Sequence, residues 1–518
     1  MDQDHGKIYP NNLSSFFVKT SNSIYSDYLE EYNLILNKVR ISFEKDEYKL
    51  ASPTLSKQET ITELYESIID KNHPNNSSYE LFKAYFQFIP KLFIKIFFLF
   101  YIKFKSPKIN FPKNALYFRS WLEPRCLDGI KLIDEHFRDL PSRISSQYLV
   151  ISALHAYSFQ GVKKFYSKKD NDYLFIIPQA LLTIKDIFFI FLDYLRYGRL
   201  KTQESFFYKK KNVTKQINRS LLLDFLKFRS FIAFEEKFIS QKLINKEIKA
   251  FIYVFENQAW EKVCCNSFSQ DNIKTIGVQG SGFSPLFLNF FNIPGEEIPE
   301  PDVILTVGDN FTKFLKENCN IRTQIETFFS LRFNYDTSNG KYNVKQPNLS
   351  YTNKILYSFS VNKSKYLPII EILKKYFEHD SLEIHLRFHP QYDFYSLERN
   401  FDIPKNFKII NKVDVENLRF NYDFVLFNDN SFGIESLMQG VKSFQFFLDD
   451  KYLEDRFFYF DEWNTKLDPK NLKEFSDNLI NKKIDKTFDT DLIKDYINNM
   501  YTPDNGKSAM FLKSTLQE

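Results

Sequence analysis

The sequence predicts an α/β protein with two Rossmann-like, parallel-sheet domains behind a mainly helical N-terminal extension. Three observations carry that expectation. Short apolar runs alternate with segments of helical periodicity from about residue 114 onward. The series breaks once, at the polar stretch 336–353 with its Gly340, Pro347 and several Asn, and then begins again. The residues best suited to chemistry follow directly after apolar runs, where parallel sheets present the carboxyl ends of their strands.

In order along the chain, residues 1–110 form the helical extension, 111–340 the first domain and 350–518 the second. The 518 residues, 43% hydrophobic and 26% charged, suffice for two or three cores and argue against wholesale disorder. Aromatic content is high, with 58 Phe and 31 Tyr, and reads as the codon bias of an AT-rich genome. A net charge of +5 without clustering does not point to nucleic acid. Cys126, Cys264, Cys265 and Cys319 lack metal-ligand spacing and read as packing residues of a reducing compartment. The N-terminus has no basic region followed by an apolar one, so no signal peptide is expected and the chain reads as cytoplasmic.

Residues 84–105 are apolar but carry Pro90, Lys91 and Lys95, with Lys103, Lys105 and Lys108 following. Two readings stand side by side, a basic amphipathic helix lying peripherally on an anionic membrane or a buried helix of the extension, with a membrane-spanning helix the least favoured because Pro90, Lys91 and Lys95 interrupt the apolar run.

In the first domain the run 249–256 predicts a strand ending at Glu256, with a helix after it. Residues 274–279 and 301–307 predict two more strands, the second followed by a helix over about 310–318. Arg119, Trp121 and Arg125 offer charge and stacking to an acceptor, though an internal arginine–tryptophan cluster is the weightier reading. Gln279, at the end of the 274–279 run, and Ser281 just after it are further candidates for binding an acceptor.

In the second domain residues 354–361 read as a strand, and the spacing of Tyr366, Ile369, Ile370, Leu373 and Phe377 predicts a helix. Ser360 and Asn362 lie in the turn between them, where backbone N–H groups at a helix start suit a phosphate. Leu382 to Phe388 alternates as a strand that places Arg387 on its polar side. His389-Pro390 follows at once, the proline fixing the turn so that the imidazole can donate to a phosphate oxygen. Phe424 to Phe427 predicts a buried strand; Asn428, Asn430, Ser431, Phe432, Gly433 and Glu435 then lead into a helix. Asn430 or Ser431 suits its N-cap, and Glu435 suits the ribose hydroxyls of a nucleotide. Gly440 is expected to end that helix. Asp170-Asn-Asp172 and Asp489-Thr-Asp491 follow no apolar strand, so both read as solvated turns and no metal site is expected.

His389-Pro390, followed some forty residues later by Asp429 to Glu435, resembles the C-terminal half of GT-B glycosyltransferases. The similarity is greatest to bacterial sialyltransferase-like and polysialyltransferase-like enzymes and to CDP-glycerol glycerophosphotransferases. Phe255 to Glu261, Gly277 to Gln279 and Pro301 to Leu305 resemble the same kind of surface-carbohydrate protein. The likeness covers about residues 251–450. It departs after Gln279, where a histidine would be expected and Gly280-Ser281 stands instead.

The resemblance implies an inverting, metal-independent glycosyltransferase of surface polysaccharide or lipooligosaccharide synthesis, with a CMP-activated, sialic-acid-like donor and no cofactor. Its partners would be the nucleotide-sugar donor and a glycan or lipid-linked acceptor. Glu256 is the expected general base and His389 the group that meets the leaving phosphate. The alternatives are a CDP-glycerol-type glycerophosphotransferase, a sugar-nucleotide 2-epimerase and a non-catalytic scaffold.

Overall fold

The computed structural model describes residues 32–517, apart from 44–45, 58–63, 65–76, 128–130, 169–172, 281, 284–286, 293–297, 334–336, 339, 361–364, 390–402, 449–455, 458 and 461–464. The extension supplies helices α1 (Asn33–Ile41), α2 (Asp46–Ala51) and α3 (Ser77–Lys105). Helix α3 runs unbroken through Pro90. Ala84, Phe88, Phe98, Leu99 and Ile102 bury one stripe of it, while Phe82, Phe86, Phe93, Phe97 and Phe104 stay exposed. The buried-helix expectation therefore holds for one face only.

The first domain begins with β1 (Leu116–Trp121), α4 (Leu140–Ser145), β2 (Val150–His155), α5 (Phe159–Phe165) and β3 (Leu174–Ile176). Helix α6 (Ile184–Tyr197) follows, opened by a reciprocal cap between Thr183 and Asp186. A small hairpin of β4 (Phe207–Tyr208) and β5 (Lys211–Asn212) leads into α7 (Thr214–Leu226) and α8 (Phe231–Ile244). Then come β6 (Ala250–Phe255), α9 (Ala259–Ser269), β7 (Lys274–Gln279), β8 (Val303–Thr306), α10 (Asp309–Asn318) and β9 (Gln324–Thr327). The strands lie in the order β3-β2-β1-β6-β7-β8-β9, every neighbouring pair parallel. Chain order reverses between β1 and β6, and such a switch point opens a crevice at the carboxyl ends of the two strands.

The polar stretch after this sheet is clasped rather than loose. Strands β10 (Thr337–Ser338) and β11 (Lys341–Tyr342) form a hairpin turned through Gly340 at φ +76°. Tyr342 is buried, and its hydroxyl donates to the Phe333 carbonyl at 3.1 Å.

The second domain holds β12 (Lys354–Ser358), α11 (Tyr366–Phe377), β13 (Glu383–Arg387), β14 (Phe407–Ile410), α12 (Leu418–Asn421), β15 (Phe424–Phe427), α13 (Phe432–Met438), β16 (Ser443–Phe446), β17 (Lys466–Leu467) and α14 (Leu472–Ile480). Its order, β14-β13-β12-β15-β16-β17, is again fully parallel, with its switch point between β12 and β15. Gly440 ends α13 at φ +78°, as expected for a left-handed residue after a helix.

The boundary 350–518 needs correction at its far end. Helix α15 (Thr490–Met500) packs against both α10 and α13, so it belongs to both domains. Helix α16 (Ser508–Thr515) lies on the first domain: Ala509, Leu512 and Leu516 share a core with Leu116, Ile252 and Val278. Arg143 fixes this return by donating to Asp504 and, at 2.9 Å, to Ser508 Oγ. The Asp489-Thr-Asp491 run is a cap, with Asp489 accepting from the Asp491 and Leu492 backbones at the start of α15.

Gly308 marks how closely this tail is seated. A Cβ there would stand 2.2 Å from the Met500 carbonyl oxygen, a backbone atom that cannot swing aside. Gly308→Ala is expected to lower stability by about 1–3 kcal/mol by overpacking, read as a shift of the urea midpoint with the slope retained. All four cysteines are buried and free of disulfides.

Candidate active site

The site can be built from the first switch point. The chain leaving β6 carries Glu256, and Glu261 holds its backbone. The Glu261 carboxylate accepts from the N–H groups of Glu256 at 3.1 Å, Asn257 at 2.9 Å and Gln258 at 3.0 Å. Asn289 and Asn257 each donate to a carbonyl of the other's loop, fixing it from the far side. The Glu256 side chain is half-buried and accepts from Gln258 Nε2. Burial raises its pKa, and the Glu123 carboxylate adds to the rise, while His136 and Arg332 oppose it. A carboxylate in that setting is a stronger base than one in water.

Glu123 and His136 come from the chain that follows β1. Asp134 pins that loop: its carboxylate accepts from Ser120 Oγ at 2.7 Å and Ser152 Oγ at 2.9 Å, and from the backbones of His136 at 3.0 Å and Phe137 at 3.1 Å. His136 is thereby held with Nε2 3.5 Å from Glu123 Oε1. Neither ring nitrogen has a hydrogen-bond partner among the described residues, although the ring is buried. The nearness of His136 is the chief reason the Glu123 pKa is lowered. Gly280 is glycine for want of room: a Cβ would meet Val254 at 2.7 Å and His136 Nδ1 at 3.0 Å.

The second switch point is laced by asparagines. Asn428 Oδ1 accepts from the Ser360 backbone at 2.8 Å, and its Nδ2 lies 3.0 Å from Ser360 Oγ. Asn430 Nδ2 donates to the Ser358 carbonyl at 3.0 Å, and its Oδ1 caps α13 by accepting from the Phe432 N–H at 3.0 Å. Ser431 makes no side-chain cap; its hydroxyl donates to Glu435 Oε1 at 3.0 Å at the exposed edge of the helix. Arg387 donates to Ser358 Oγ at 3.2 Å and lies over the Phe432 ring at 4.1 Å. His389 follows, half-buried. Burial lowers its pKa, and Arg125 and Arg387 lower it further.

That last influence crosses between domains. His389 of the second sheet feels Arg125, Glu123 and Arg332 of the first, and Arg456 and Gly282, in the segments that follow β16 and β7, meet across the same edges. Arg332 also acts on Glu256 and Glu123, lowering the pKa of each. Arg456 ties the two walls together, donating to the Gly282 carbonyl at 3.1 Å.

Several expected site residues serve the fold instead. Arg119 is fully buried: its guanidinium lies between Trp121 at 4.2 Å and Trp260 at 4.0 Å and donates to Glu236 at 2.7 Å, so it cannot reach an acceptor. Trp121 spends its ring on the same stack. Gln279 is buried and accepts from the Val307 backbone at 3.1 Å. Ser360 and Asn428 are buried against each other and position the loops. Phe432 is a buried platform for Arg387. Gly433 gives the Phe427 ring its space, since a Cβ would stand 2.1 Å from it. Ser281, Asn362 and Pro390 lie outside the described residues. Glu123, His136 and Arg332 lie in loops and escape sequence reasoning.

The buried Arg119–Glu236 pair carries a prediction. Burial alone would raise Glu236, but Arg119 and His155 bring its carboxyl down to about 2. Because the folded-state value is depressed, the stabilisation is present above the ordinary carboxylate range and is lost as pH falls toward about 2. Glu236→Gln strands Arg119 and is expected to cost about 3–5 kcal/mol, measured by denaturant titration at neutral pH, with the difference from the parent chain shrinking in acid.

Among the described residues no three His, Cys, Asp or Glu side chains converge as metal ligands. No family model and no curated protein matches the chain. Several solved structures resemble it. Glycosyltransferase SnogD from Streptomyces nogalater is 10% identical, covering 78% of this chain and 100% of that one at a TM-score of 0.42. Calicheamicin glycosyltransferase CalG4 is 8% identical, covering 78% and 99% at 0.45. The S. aureus MnaA–UDP co-structure is 10% identical, covering 78% and 96% at 0.40. Superpositions this loose leave the fold to the chain's own strand orders, and those give two Rossmann-like domains in series.

Proposed function

We propose that the chain is a GT-B-type glycosyltransferase that moves a sugar from a nucleotide donor held by the second domain to an acceptor held by the first. The observation that carries the proposal is the placement of Glu256 and His389 just after β6 and β13, each at the carboxyl edge of its own sheet, with Arg456 and Gly282 in contact between the domains. In the inverting reaction the acceptor oxygen bonds to the anomeric carbon as the bond to the donor phosphate breaks. Glu256 takes the hydroxyl proton, and the electron pair leaves with the phosphate oxygen. His389, neutral because its pKa is lowered, donates an N–H to that oxygen, with Arg387 beside it adding positive charge. Ser431 and Glu435 at the rim of α13 are suited to the ribose.

The donor is proposed to be a CMP-activated, sialic-acid-like sugar and the product a surface polysaccharide or lipooligosaccharide, on the strength of the motif resemblance. No metal or cofactor enters this reading. Titration calorimetry with a CMP-sugar, CDP-glycerol and a UDP-sugar tests it. Binding of the CMP-sugar that weakens in Arg387→Ala supports the proposal; equal indifference to all three donors would remove it.

A further inference from the structure

The most prominent feature outside the cleft is the outer face of α3. Phe82, Phe86, Phe93, Phe97 and Phe104 recur at helical spacing along it, and Phe86 is 79% and Phe104 75% exposed. Soluble surfaces rarely leave so long an apolar row uncovered. Helix α6 packs alongside and extends the row with Ile184 and Phe188, both exposed.

Charge selects the occupant. Residues 81–110 contain six Lys and no Asp or Glu. Lys83, Lys91, Lys105 and Lys108 are exposed around the phenylalanine row. The acids of α6 are already neutralised: Asp186 pairs with Lys242 at 2.9 Å, and Asp193 with Arg196 and Lys237, each at 3.2 Å. An apolar row edged by cations fits the headgroup–acyl boundary of an anionic bilayer. A second copy fits poorly, because two-fold pairing would set the lysine rows against each other.

Length and composition would also allow α3 to span a bilayer. Its inner face argues otherwise. Phe88 stacks on Phe225 and Phe228, at 4.7 and 5.3 Å between centroids. Lys95 lies 5.5 Å over the Phe231 ring, and Lys103 donates to the Ala180 carbonyl at 3.2 Å. Spanning would strip all of these contacts from the first domain.

Position adds a functional consequence. The C-terminal half of α3 packs on Phe159 through Phe97, Phe98 and Tyr101, and on the 3-10 turn Pro178–Leu181. Those two segments follow β2 and β3, so they lie at the carboxyl edge of the first sheet, beside the cleft.

We infer that α3 and α6 form a platform that docks the chain peripherally on an anionic bilayer and brings the acceptor side of the cleft to the lipid surface. Docking itself stands apart from the transfer chemistry; only the delivery of a lipid-linked acceptor rests on the proposed function.

The test is flotation of the full chain with vesicles of phosphatidylcholine alone or with 30% phosphatidylglycerol. Flotation is expected with the anionic vesicles only, released by high salt. Lys91→Glu with Lys105→Glu should reduce partitioning by at least about thirtyfold, and Phe93→Ser with Phe97→Ser should abolish it. Donor affinity and turnover on a soluble acceptor should be unchanged in both variants. Flotation that ignores lipid charge and resists alkaline carbonate would overturn the inference in favour of insertion. No flotation from a folded chain, or a dimer that the phenylalanine variant dissociates, would overturn it too. Vesicle binding without any donor binding would retain the platform and sink the transferase reading instead.

Discussion

Replacing Glu256 by Gln is expected to lower kcat by about 10²–10⁴-fold while leaving donor affinity within about twofold. The substitution keeps size and hydrogen bonding to Gln258 and removes only the capacity to take a proton. Its surroundings explain why this carboxylate is placed to act. Burial and Glu123 raise its pKa and so its basicity, while His136 and Arg332 favour the ionised form. The sign of the pH effect follows. Only the ionised carboxylate accepts a proton, so activity should fall as pH drops through a value above the usual carboxylate range. That acid limb should be missing from the residual activity of Glu256→Gln. Steady-state rates across pH, with calorimetry for the donor, check both parts. Full turnover by Glu256→Gln would move the base elsewhere, and the Glu123–His136 pair is the next group to test.

The second large effect is expected at His389. His389→Ala should reduce kcat by about 10²–10³-fold through loss of a donor to the developing phosphate charge. Burial, Arg125 and Arg387 lower its pKa and so favour the neutral imidazole, which in the proposed reaction would serve as a hydrogen-bond donor rather than a cation. His389→Gln, which keeps an N–H, should recover part of the loss. Donors with better leaving groups should suffer less from His389→Ala, and a uniform loss across donors would contradict a leaving-group role.

Much of the architecture is legible in the sequence because parallel strands buried on both faces read as unbroken apolar runs. The runs ending at Phe255, Gln279 and Phe427 are strands, and Asp336 to Asn353 does separate two series. Strand β1 is harder to read, since Arg119 and Ser120 interrupt its pattern. They are tolerated inside because Glu236, distant in sequence, satisfies Arg119 and Asp134, in the following loop, satisfies Ser120. The same non-local chemistry hides Arg119's role: a buried ion pair and an acceptor-binding arginine look alike until Glu236 is placed.

The site was partly legible for a related reason. Strand-end positions can be inferred from periodicity, and Glu256, Arg387 and His389 occupy them. Loop residues carry no period, so Glu123, His136 and Arg332 are found only once the sheets are folded together. Nor can a pattern say which domain a terminal helix joins. The return of α16 to the first domain depends on Arg143 and on the packing of Ala509, Leu512 and Leu516 against residues far away in the sequence.

Sugar transfer across the cleft would be read out by acceptor-dependent release of nucleotide. The chain would be incubated with a CMP-activated sialic-acid-type donor, with and without a surface-glycan acceptor, and free nucleotide and product followed by chromatography and NMR. Release is expected to require the acceptor and to yield a product of inverted anomeric configuration, and both are expected to be lost in Glu256→Gln. Donor consumption without acceptor, or a product that retains the donor's configuration, would contradict inverting transfer.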